Sequence, residues 1–521
     1  MKVNVGELVA FILYFVLVIG IGIFFFIKGK KEVGEKSYFL GGRKMGGMVA
    51  ALSAGASDMS AWVLMGLPGS IYLYGLGQVW ISIGLLIGTI LAWFLVAPRL
   101  RRYSILAKDS ITIPQYLTNR FFSKSSALQV VCAVIFVIVY CVYGASSISA
   151  CGTLFKTLFG LDERIGMTVA TVVIIAYVFM GGFNAVCWTD FFQGLLMLAA
   201  LMVTPIVAAF VLKADGAIAP ALIPDNYYNL LSSGKFDWAS VSTILTGLGW
   251  GLGYFGMPHI IVRYISIKSE KEMKKSRYIG IGWTAIILVM ASVVAIVGRQ
   301  YLGDTVADSS SLVFITTARK IFPAFIGGII ISAIIAASMS TADSQLLAAS
   351  SAFASDVYKS SIRKKASDKE VMWVGRIVVV IISLLAFGIA MLGSGEKPIV
   401  KAFSTIMSLV SAAWAAFGAA FGPVIMLSLY WRRLNYKGAI AGISVGFVVD
   451  VLWMFLLNYE YYGGTSAVAN TGLYEIIPGF VCGMIACIVV SLLTKAPSDE
   501  VTALFDKVKF SKGVESGEQN Q

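Results

Sequence analysis

Two adjacent hydroxyl side chains lie in an apolar stretch in the second half of the chain. Ser340 and Thr341 occur within AIIAASMSTADSQLL, where most other residues are apolar or small. On a helix, the carbonyl of Ala337 is three and four residues earlier on the same face. This face would present two hydroxyls and a carbonyl together, and oxygen is the ligand that hard cations such as sodium prefer. We therefore predict a cation site here.

An earlier stretch contains groups that would complete such a site. In MVAALSAGASDMSAWVLMGLPGS, a run of small and polar residues from Ser53 to Ser60 is expected to interrupt the helix. The interruption would free backbone carbonyls near Ala56 and Met59, which makes five oxygens in all. The alternative is that the hydroxyls of the later stretch only bond back to their own helix.

An aspartate in the interrupted stretch is predicted to lie on the path of the cation. Asp58 is near the centre of this stretch, where a carboxylate costs roughly 2.5–3.5 kcal/mol on membrane-insertion scales. Ionisable residues within apolar spans are functional by default. A second aspartate, Asp190, lies in CWTDFFQG. Its surroundings alone indicate a charge at a helix N-terminus near the membrane surface.

Aromatic residues in two interrupted stretches predict a pocket for a small organic solute. Trp62 follows the first interruption, and the second stretch, ILTGLGWGLGYFGMPHIIV, carries Trp250, Tyr254 and Pro258 at positions i, i+4 and i+8, which share one face of a helix. Trp and Tyr faces pack against an apolar ring and attract a cation. Their alternative role is packing, or a position at the membrane–water interface.

The composition indicates which elements position these residues. The chain has 521 residues, 58% of them hydrophobic and 13% charged, with a mean hydropathy of +0.83. Soluble domains are about 45–50% apolar and about 25% charged. Apolar runs of about 20 residues recur, each long enough to cross a hydrocarbon core ~30 Å thick as a helix. They do not alternate as barrel strands do, so we predict an all-α polytopic membrane protein.

Thirteen spans are predicted: 7–27, 45–72, 77–98, 127–153, 164–182, 188–212, 239–261, 278–301, 323–355, 372–393, 401–430, 438–458 and 473–494. With the N-terminus outside and the C-terminus inside, most Lys and Arg fall in cytoplasmic loops, as the positive-inside rule requires. The first span is too long for a signal peptide, and its basic cluster follows the apolar run. The net charge of +13 is therefore attributed to topology and lipid contacts in a cell (inner or plasma) membrane, not to nucleic acid.

The second and seventh spans are the interrupted ones, and they lie five spans apart. Unpaired backbone is tolerated at membrane depth only where it faces protein or a polar cavity. Interrupted spans at matching positions in two halves are the best sequence indication of a transporter binding site. Residues 45–212 and 239–430 are thus predicted to be two five-helix repeats, inverted because each has an odd number of spans. The alternative is that the glycines only allow close helix packing.

The remaining chain completes one predicted transporter domain, 1–495. It comprises an extra N-terminal helix, 7–27, and two extra C-terminal helices within 438–494. The segment 496–521 is predicted to be a short, polar, disordered cytoplasmic tail.

Several classes of function are not supported by any motif. No Walker, GxGxxG or HExxH motif occurs in a suitable context, so we expect neither an enzyme nor an ATP-driven pump. The six cysteines are scattered and predict no disulfide framework. His259 is the only histidine, which excludes a histidine metal cluster. No enzymatic cofactor and no obligatory protein partner is predicted; the expected partners are a small-molecule solute, a sodium ion and the lipid bilayer.

Four stretches carry a resemblance to a known family. FLGGRKMGGMVAALSAGASDMSAWVLMGLPG, YVFMGGFNAVCWTDFFQG, WGLGYFGMPHIIVRY and ASMSTADSQLLAASSAFASDVY resemble the sodium:solute symporter family, and specifically its bacterial sodium/proline branch. The resemblance runs from about residue 5 to 495. It implies the leucine-transporter fold of two inverted five-helix repeats, and sodium-coupled uptake of L-proline by alternating access.

The resemblance also assigns roles to residues. It implies that Ala56, Met59, Ala337, Ser340 and Thr341 bind sodium and that Asp58 and Asp190 lie on its path. It implies that Ser60, Ala61, Trp62, Tyr143, Trp250, Tyr254 and Pro258 line the substrate pocket. Arg43, near the cytoplasmic mouth, is assigned to gating or to topology. The alternatives are transport of another amino acid, pantothenate or a sugar, a transporter-like membrane sensor, and a channel.

Overall fold

The computed structural model describes residues 4–29, 34–123, 125–395, 405–457 and 471–510. These residues form helices and connecting segments, and no strand occurs among them. The helices of the first half are α1 (Val5–Gly29), α2 (Glu35–Leu40), α3 (Gly47–Asp58), α4 (Leu67–Tyr74), α5 (Val79–Leu91), α6 (Ala97–Leu106), α7 (Ile113–Arg120), α8 (Ala127–Phe159) and α9 (Glu163–Asp215). Those of the second half are α10 (Trp238–Gly249), α11 (Pro258–Ser266), α12 (Glu270–Leu302), α13 (Val313–Ile321), α14 (Ala324–Ser351), α15 (Asp368–Gly393), α16 (Ile406–Tyr430), α17 (Tyr436–Leu457), α18 (Ile476–Leu493) and α19 (Asp499–Phe510).

Within the described ranges, ten helical segments are long and apolar enough to cross a membrane, and eleven if the bent pair of Gly47–Asp58 and Trp62–Tyr74 counts as one span. The other two of the thirteen predicted spans are also helical. Span 164–182 is the first part of α9, which kinks at Gly182 (φ 59°), and span 239–261 is divided among three short helices. Residues 401–404 of the eleventh predicted span and residue 458 of the twelfth lie outside the described residues.

Both interruptions predicted from glycine, proline and small polar residues are confirmed. The second span bends by 60° between Asp58 and Trp62. The seventh consists of α10, a 3₁₀ helix over Trp250–Phe255, and α11, which begins at Pro258. Proline suits the first turn of a helix because it has no N–H to leave unpaired there.

The glycines of the seventh span also serve close packing, so this alternative holds beside the interruption. A Cβ on Gly251 would lie 3.2 Å from the carbonyl carbon of Gly84 and 3.3 Å from the nitrogen of Gly88, both on α5. These distances are shorter than ordinary van der Waals contact. The backbones of α5 and the 3₁₀ segment therefore approach more closely than any larger residue would allow.

The bundle has two distinguishable ends. At one, which we call the basic end, buried arginines bind carbonyls of connecting segments: Arg101 donates to Ile267 O (2.6 Å) and Lys268 O (2.8 Å). At the opposite end, Leu76 N–H donates to Tyr227 O (2.7 Å), and Trp238 donates to Thr471 O (3.3 Å).

The C-terminal tail is not disordered over Asp499–Phe510, so that prediction is wrong for these residues. Their helix, α19, buries Val501, Leu504, Phe505 and Val508 against the basic end. These four apolar residues recur at helical spacing and form one face of the helix, which explains the packing. The overall composition of the segment is polar, so composition alone does not reveal this face. Residues 511–521 of the predicted tail lie outside the described residues.

Candidate ion and substrate site

The break in the second span frees a carbonyl group. Met59 has non-helical backbone angles (φ −82°, ψ 76°). Because of this, Ser60 N–H donates to Asp58 O (3.0 Å) and not to Ala56 O, its acceptor in a continuous helix. Likewise Val63 N–H donates to Ser60 O (3.0 Å) and not to Met59 O. The carbonyls of Ala56 and Met59 thus lose these helical donors.

The freed carbonyl of Ala56 meets the hydroxyl pair of α14. Ser340 Oγ lies 2.9 Å from Ala56 O and 3.2 Å from Ala337 O, and donates to them. Thr341 Oγ1, on the next residue, is buried and has no hydrogen-bond partner among the described residues. Buried hydroxyls are nearly always hydrogen-bonded, and only neutral oxygens are gathered here. The donor set fits a small hard cation.

Asp58 connects the two interrupted spans. Its carboxylate accepts a hydrogen bond from the hydroxyl of Tyr254, in the 3₁₀ segment of the seventh span. Asp58 is only 7% exposed, so this contact is shielded from solvent. A residue predicted for the sodium path and one predicted for the substrate pocket are therefore direct partners.

The aromatic residues of the two breaks stack on each other. The rings of Trp62 and Trp250 are 5.4 Å apart at an interplanar angle of 24°. Trp414 of α16 supports them: its indole N–H donates to Trp250 O (2.8 Å), and its ring meets that of Tyr254 edge-on at 5.2 Å. The breaks in the second and seventh spans thus share one aromatic cluster, and Ser60, predicted for the substrate pocket, lies within the break of the second span.

Trp250, Tyr254 and Pro258 do not lie on one continuous helix, and that expectation is wrong. The first two belong to the 3₁₀ segment, whereas Pro258 opens α11 and lines a small cavity with Arg263 and Ser344. The glycines that interrupt the span change its helical period, so positions i, i+4 and i+8 no longer share a face.

Ser60, Ala61 and Tyr143 are all buried at this level. Ser60 Oγ accepts from Trp62 N–H (3.3 Å) within the break. Tyr143 of α8 meets the ring of His259 edge-on at 6.0 Å, and His259 N–H donates to the hydroxyl of Tyr140 (3.1 Å). The only histidine of the chain is thus a packed residue near the pocket.

Asp190 lies in a buried polar cluster, not at a helix N-terminus. It is fully buried within α9 and accepts from Ser53 Oγ (2.6 Å) and from the guanidinium of Arg263 (3.3 Å). Arg263 also donates to Ser53 Oγ (3.2 Å), to Ser344 and to His259 O (2.7 Å). Arg263 lies just beyond the predicted seventh span, 239–261. In the structure it belongs to α11 and joins three elements in the bundle interior.

Arg43 is buried at the basic end, where its side chain is 1% exposed with its backbone at φ 56°. It donates to Asp109 Oδ1 (2.8 Å), to Ile265 O (2.8 Å) and to Ser110 O (2.6 Å). The guanidinium thus ties the segment before α3 to the segment before α7 and to α11. This makes it more than a charge that sets topology.

Sequence reasoning missed several members of the site. Arg263 and Trp414 were not singled out, because their partners are 73 and 164 residues away in the chain and no local pattern links them. Arg263 follows an apolar run and falls outside the predicted span 239–261. Its position within PHIIVRYIS, one helical turn after His259 on an apolar face, was the available signal.

The fold and this site define a class of protein: a polytopic membrane transporter with paired interrupted helices. Comparison with known proteins agrees. The sodium:solute symporter family model matches residues 38–446, and the chain belongs to the sodium:solute symporter family. It is therefore a transporter and not an enzyme.

Three relatives illustrate the relationship. The chain is 42% identical to the osmoregulated proline transporter OpuE of Bacillus subtilis (strain 168) over 95% of this chain and 96% of the relative. It is 42% identical to the high-affinity proline transporter PutP of the same strain over 92% and 96%, and 40% identical to a sodium/proline symporter of Staphylococcus aureus (strain JH9) over 95% and 94%.

Solved structures show the leucine-transporter fold. A Na⁺-coupled sialic acid symporter in a substrate-bound outward-open state matches with a TM-score of 0.75 at 19% identity, covering 95% of this chain and 99% of that one. A nucleobase-cation-symport-1 family transporter in a closed conformation matches with a TM-score of 0.51 at 11% identity, over 90% and 98%.

Proposed function

We propose that this chain is a sodium/L-proline symporter that takes up proline by alternating access. The observation that carries the proposal is the contact of Ser340 with the carbonyl of Ala56, at the break of the same span whose Trp62 stacks on Trp250. An ion and an organic solute that both bind at this break would be thermodynamically linked. The proline substrate is supported by the printed names of relatives at 40–42% identity.

The proposed sodium site uses five oxygens, those of Ala56, Met59, Ala337, Ser340 and Thr341. All five are carbonyl or hydroxyl oxygens of residues at the helix break or on α14, and one of them, Thr341 Oγ1, is buried without a partner among the described residues. A bound ion would hold α3 against α14 and order the break next to it. Asp58 and Asp190 would add negative potential along the path.

The proposed substrate site is at the same break. Helical N–H groups that begin after Ala61 suit the carboxylate of an amino acid, because a helix N-terminus attracts anions. The rings of Trp62, Trp250 and Tyr254 offer faces for the pyrrolidine ring and for the ammonium group. Ser60 and Tyr143 add polar groups to the lining. Pro258, at the start of α11, would border the pocket on the side of Arg263.

The proposed topology has the N-terminus outside and the C-terminus in the cytoplasm. Arg43, Arg101 and Arg120 lie at the basic end of the bundle, which the positive-inside rule assigns to the cytoplasm. Residues 45–212 and 239–430 would be the two inverted repeats of the transporter domain 1–495, with the extra helices at both ends. Arg43 would then stabilise the closed cytoplasmic mouth.

The driving force suits uptake against a gradient. One sodium ion crossing 100 mV supplies about 2.3 kcal/mol, and a tenfold sodium gradient adds about 1.4 kcal/mol. At 1:1 coupling, this sum of about 3.7 kcal/mol supports a proline gradient of roughly 500-fold. A uniporter would not concentrate its solute.

The test is uptake of labelled L-proline into proteoliposomes with and without an inward sodium gradient. Accumulation above the external concentration, only with sodium and competed best by unlabelled proline, is expected. If pantothenate, a sugar or another amino acid competes more strongly than unlabelled proline, that solute is the substrate. Equal uptake at limiting sodium would contradict sodium coupling.

A further inference from the structure

A tyrosine from outside the proposed repeats completes the aromatic cluster. The ring of Tyr474, two residues before α18, stacks on Trp250 with centroids 5.0 Å apart and an interplanar angle of 26°. Trp250 in turn stacks on Trp62. The three rings form a continuous series that ends at the break of the second span.

Tyr474 is on the side of Trp250 that faces the end opposite the basic end. Its N–H donates to Thr246 Oγ1 (3.1 Å) on α10, one helical turn before Trp250. Three residues earlier in the chain, Thr471 O accepts from Trp238, the first residue of α10. The segment 471–474 thus runs along α10 from the bundle end to the aromatic cluster, and its tyrosine is 6% exposed.

Hydrogen bonds join this segment to elements on both sides of the site. The hydroxyl of Tyr474 donates to Ser411 O (2.7 Å) on α16, and Thr246 Oγ1 donates to Gly472 O (3.0 Å). The segment is not helical, and Gly472 has φ 70°, a conformation that glycine adopts without strain. A short irregular segment with a glycine hinge can move without unwinding α18.

We infer that Tyr474 is a gating and specificity-determining residue of the substrate pocket, covering Trp250 from the outside when the pocket is closed and leaving it when the pocket opens. This inference rests on the proposed function and topology. The inference adds to the pocket a residue of the segment that precedes α18, one of the extra C-terminal helices. The ring excludes solute by stacking, and the bond to Ser411 fixes its orientation.

The gate predicts a particular pattern of kinetics in proteoliposomes. Tyr474→Ala loses the stacked ring and is expected to raise the KM for proline by about threefold to tenfold, with kcat changed less. Tyr474→Phe keeps the ring and loses the Ser411 bond, so its KM is expected to remain closer to that of the unmodified chain. A structural defect would instead lower the amount of active protein and kcat in both variants.

Accessibility tests the gate directly. Tyr474→Cys is labelled with a membrane-impermeant maleimide in proteoliposomes with no solute, with sodium, and with sodium plus proline. Faster labelling with sodium alone and protection by added proline are expected. Tyr228→Cys, on the exposed 216–237 segment at the same bundle end (Tyr228 is 49% exposed), should be labelled equally in all three conditions, and the unmodified chain gives the background from native cysteines.

The outcomes separate the two proposals. If Tyr474→Cys transports proline with sodium yet is labelled at one rate in all three conditions, the gate is wrong and the function stands. An unchanged proline KM in Tyr474→Ala would likewise overturn the gate alone. If the unmodified chain takes up no proline with sodium, the proposed function fails and the gate fails with it.

Discussion

At the scale of residues, the interior contains buried charged side chains, which a lipid-embedded bundle tolerates only when they are paired. Asp190 and Arg263 are both essentially unexposed and contact each other at 3.3 Å. Burying a lone charge is costly, whereas a paired and hydrogen-bonded one is sustainable. This pair joins α9 to α11 and lies near the hydroxyls of Ser53 and Ser344, so it is a structural tie as well as a candidate for the sodium path.

Neutralising one member of this pair should destabilise the fold more than neutralising both. Asp190→Asn leaves a buried guanidinium unpaired, and removing one partner of a buried ion pair costs about 3–5 kcal/mol. The double variant Asp190→Asn, Arg263→Met carries no unpaired charge and should be more stable than Asp190→Asn alone. Thermal unfolding in detergent measures the difference. A double variant that loses the sum of the two single losses would contradict the pairing.

The hydroxyl of Tyr254 should matter more than an ordinary buried hydroxyl, because its acceptor is the carboxylate of Asp58. Hydrogen bonds to charged groups contribute about 1.5–3 kcal/mol, against about 0.5–1.5 kcal/mol for neutral ones. Tyr254→Phe is therefore expected to lower sodium-driven proline uptake about tenfold or more. Tyr116→Phe, which removes a buried bond to Ser428 Oγ of 2.9 Å, is the matched control. Equal losses in the two variants would argue against a special role for the Asp58 contact.

At the scale of elements, the sequence predicted what depends on local backbone chemistry. Glycine, proline and small polar residues interrupt the second and seventh spans because they weaken helices wherever they occur. The same local reasoning did not predict the 3₁₀ helix of Trp250–Phe255, because this geometry depends on how the segment packs against α5 and α16. It also did not give the tail helix α19, whose apolar face is stabilised by the rest of the protein and not by its own composition.

The docking of α19 should depend on its apolar face and not on its exposed ion pair. Phe505 is 5% exposed, with the guanidinium of Arg120 5.5 Å above its ring, and replacing a buried Phe by Ala costs about 3–5 kcal/mol. Phe505→Ala is therefore expected to release the helix, seen as faster proteolysis of the tail. Asp506→Ala removes the exposed pair with Arg432 (2.9 Å) and should cost under about 1 kcal/mol. Faster cleavage in Asp506→Ala than in Phe505→Ala would refute this account.

At the scale of the whole molecule, the basic residues have two uses that the sequence does not separate. Arg43, Arg101 and Arg120 lie outside the predicted spans, yet all are at most 1% exposed and bind carbonyl groups. Their partners lie up to 381 residues away, so no local pattern predicts the contacts. The topology rule still assigns these three arginines to one end of the bundle, the basic end.

The orientation can be checked independently of transport. We expect an epitope at the N-terminus to be reached by antibody added to intact spheroplasts, and one after Phe510 to be reached only after the membrane is permeabilised, since Lys and Arg are retained on the cytoplasmic side. Access to both epitopes in intact spheroplasts would contradict an odd number of spans in the orientation proposed.

The central claim is that an ion held between the break of α3 and the hydroxyls of α14 couples sodium to proline. The decisive measurement is the sodium concentration for half-maximal proline uptake in Ser340→Ala and Thr341→Ala, with Ser338→Ala as control. Ser338 is on the same helix and equally buried, and its hydroxyl bonds back to Ile334 O (2.9 Å). The account predicts that each site variant needs a sodium concentration about tenfold higher or more than the unmodified chain for half-maximal uptake, because the lost ligand contributes at least about 1.4 kcal/mol to sodium binding. The control variant should keep the sodium concentration of the unmodified chain. A sodium dependence that is the same in all three variants would contradict it.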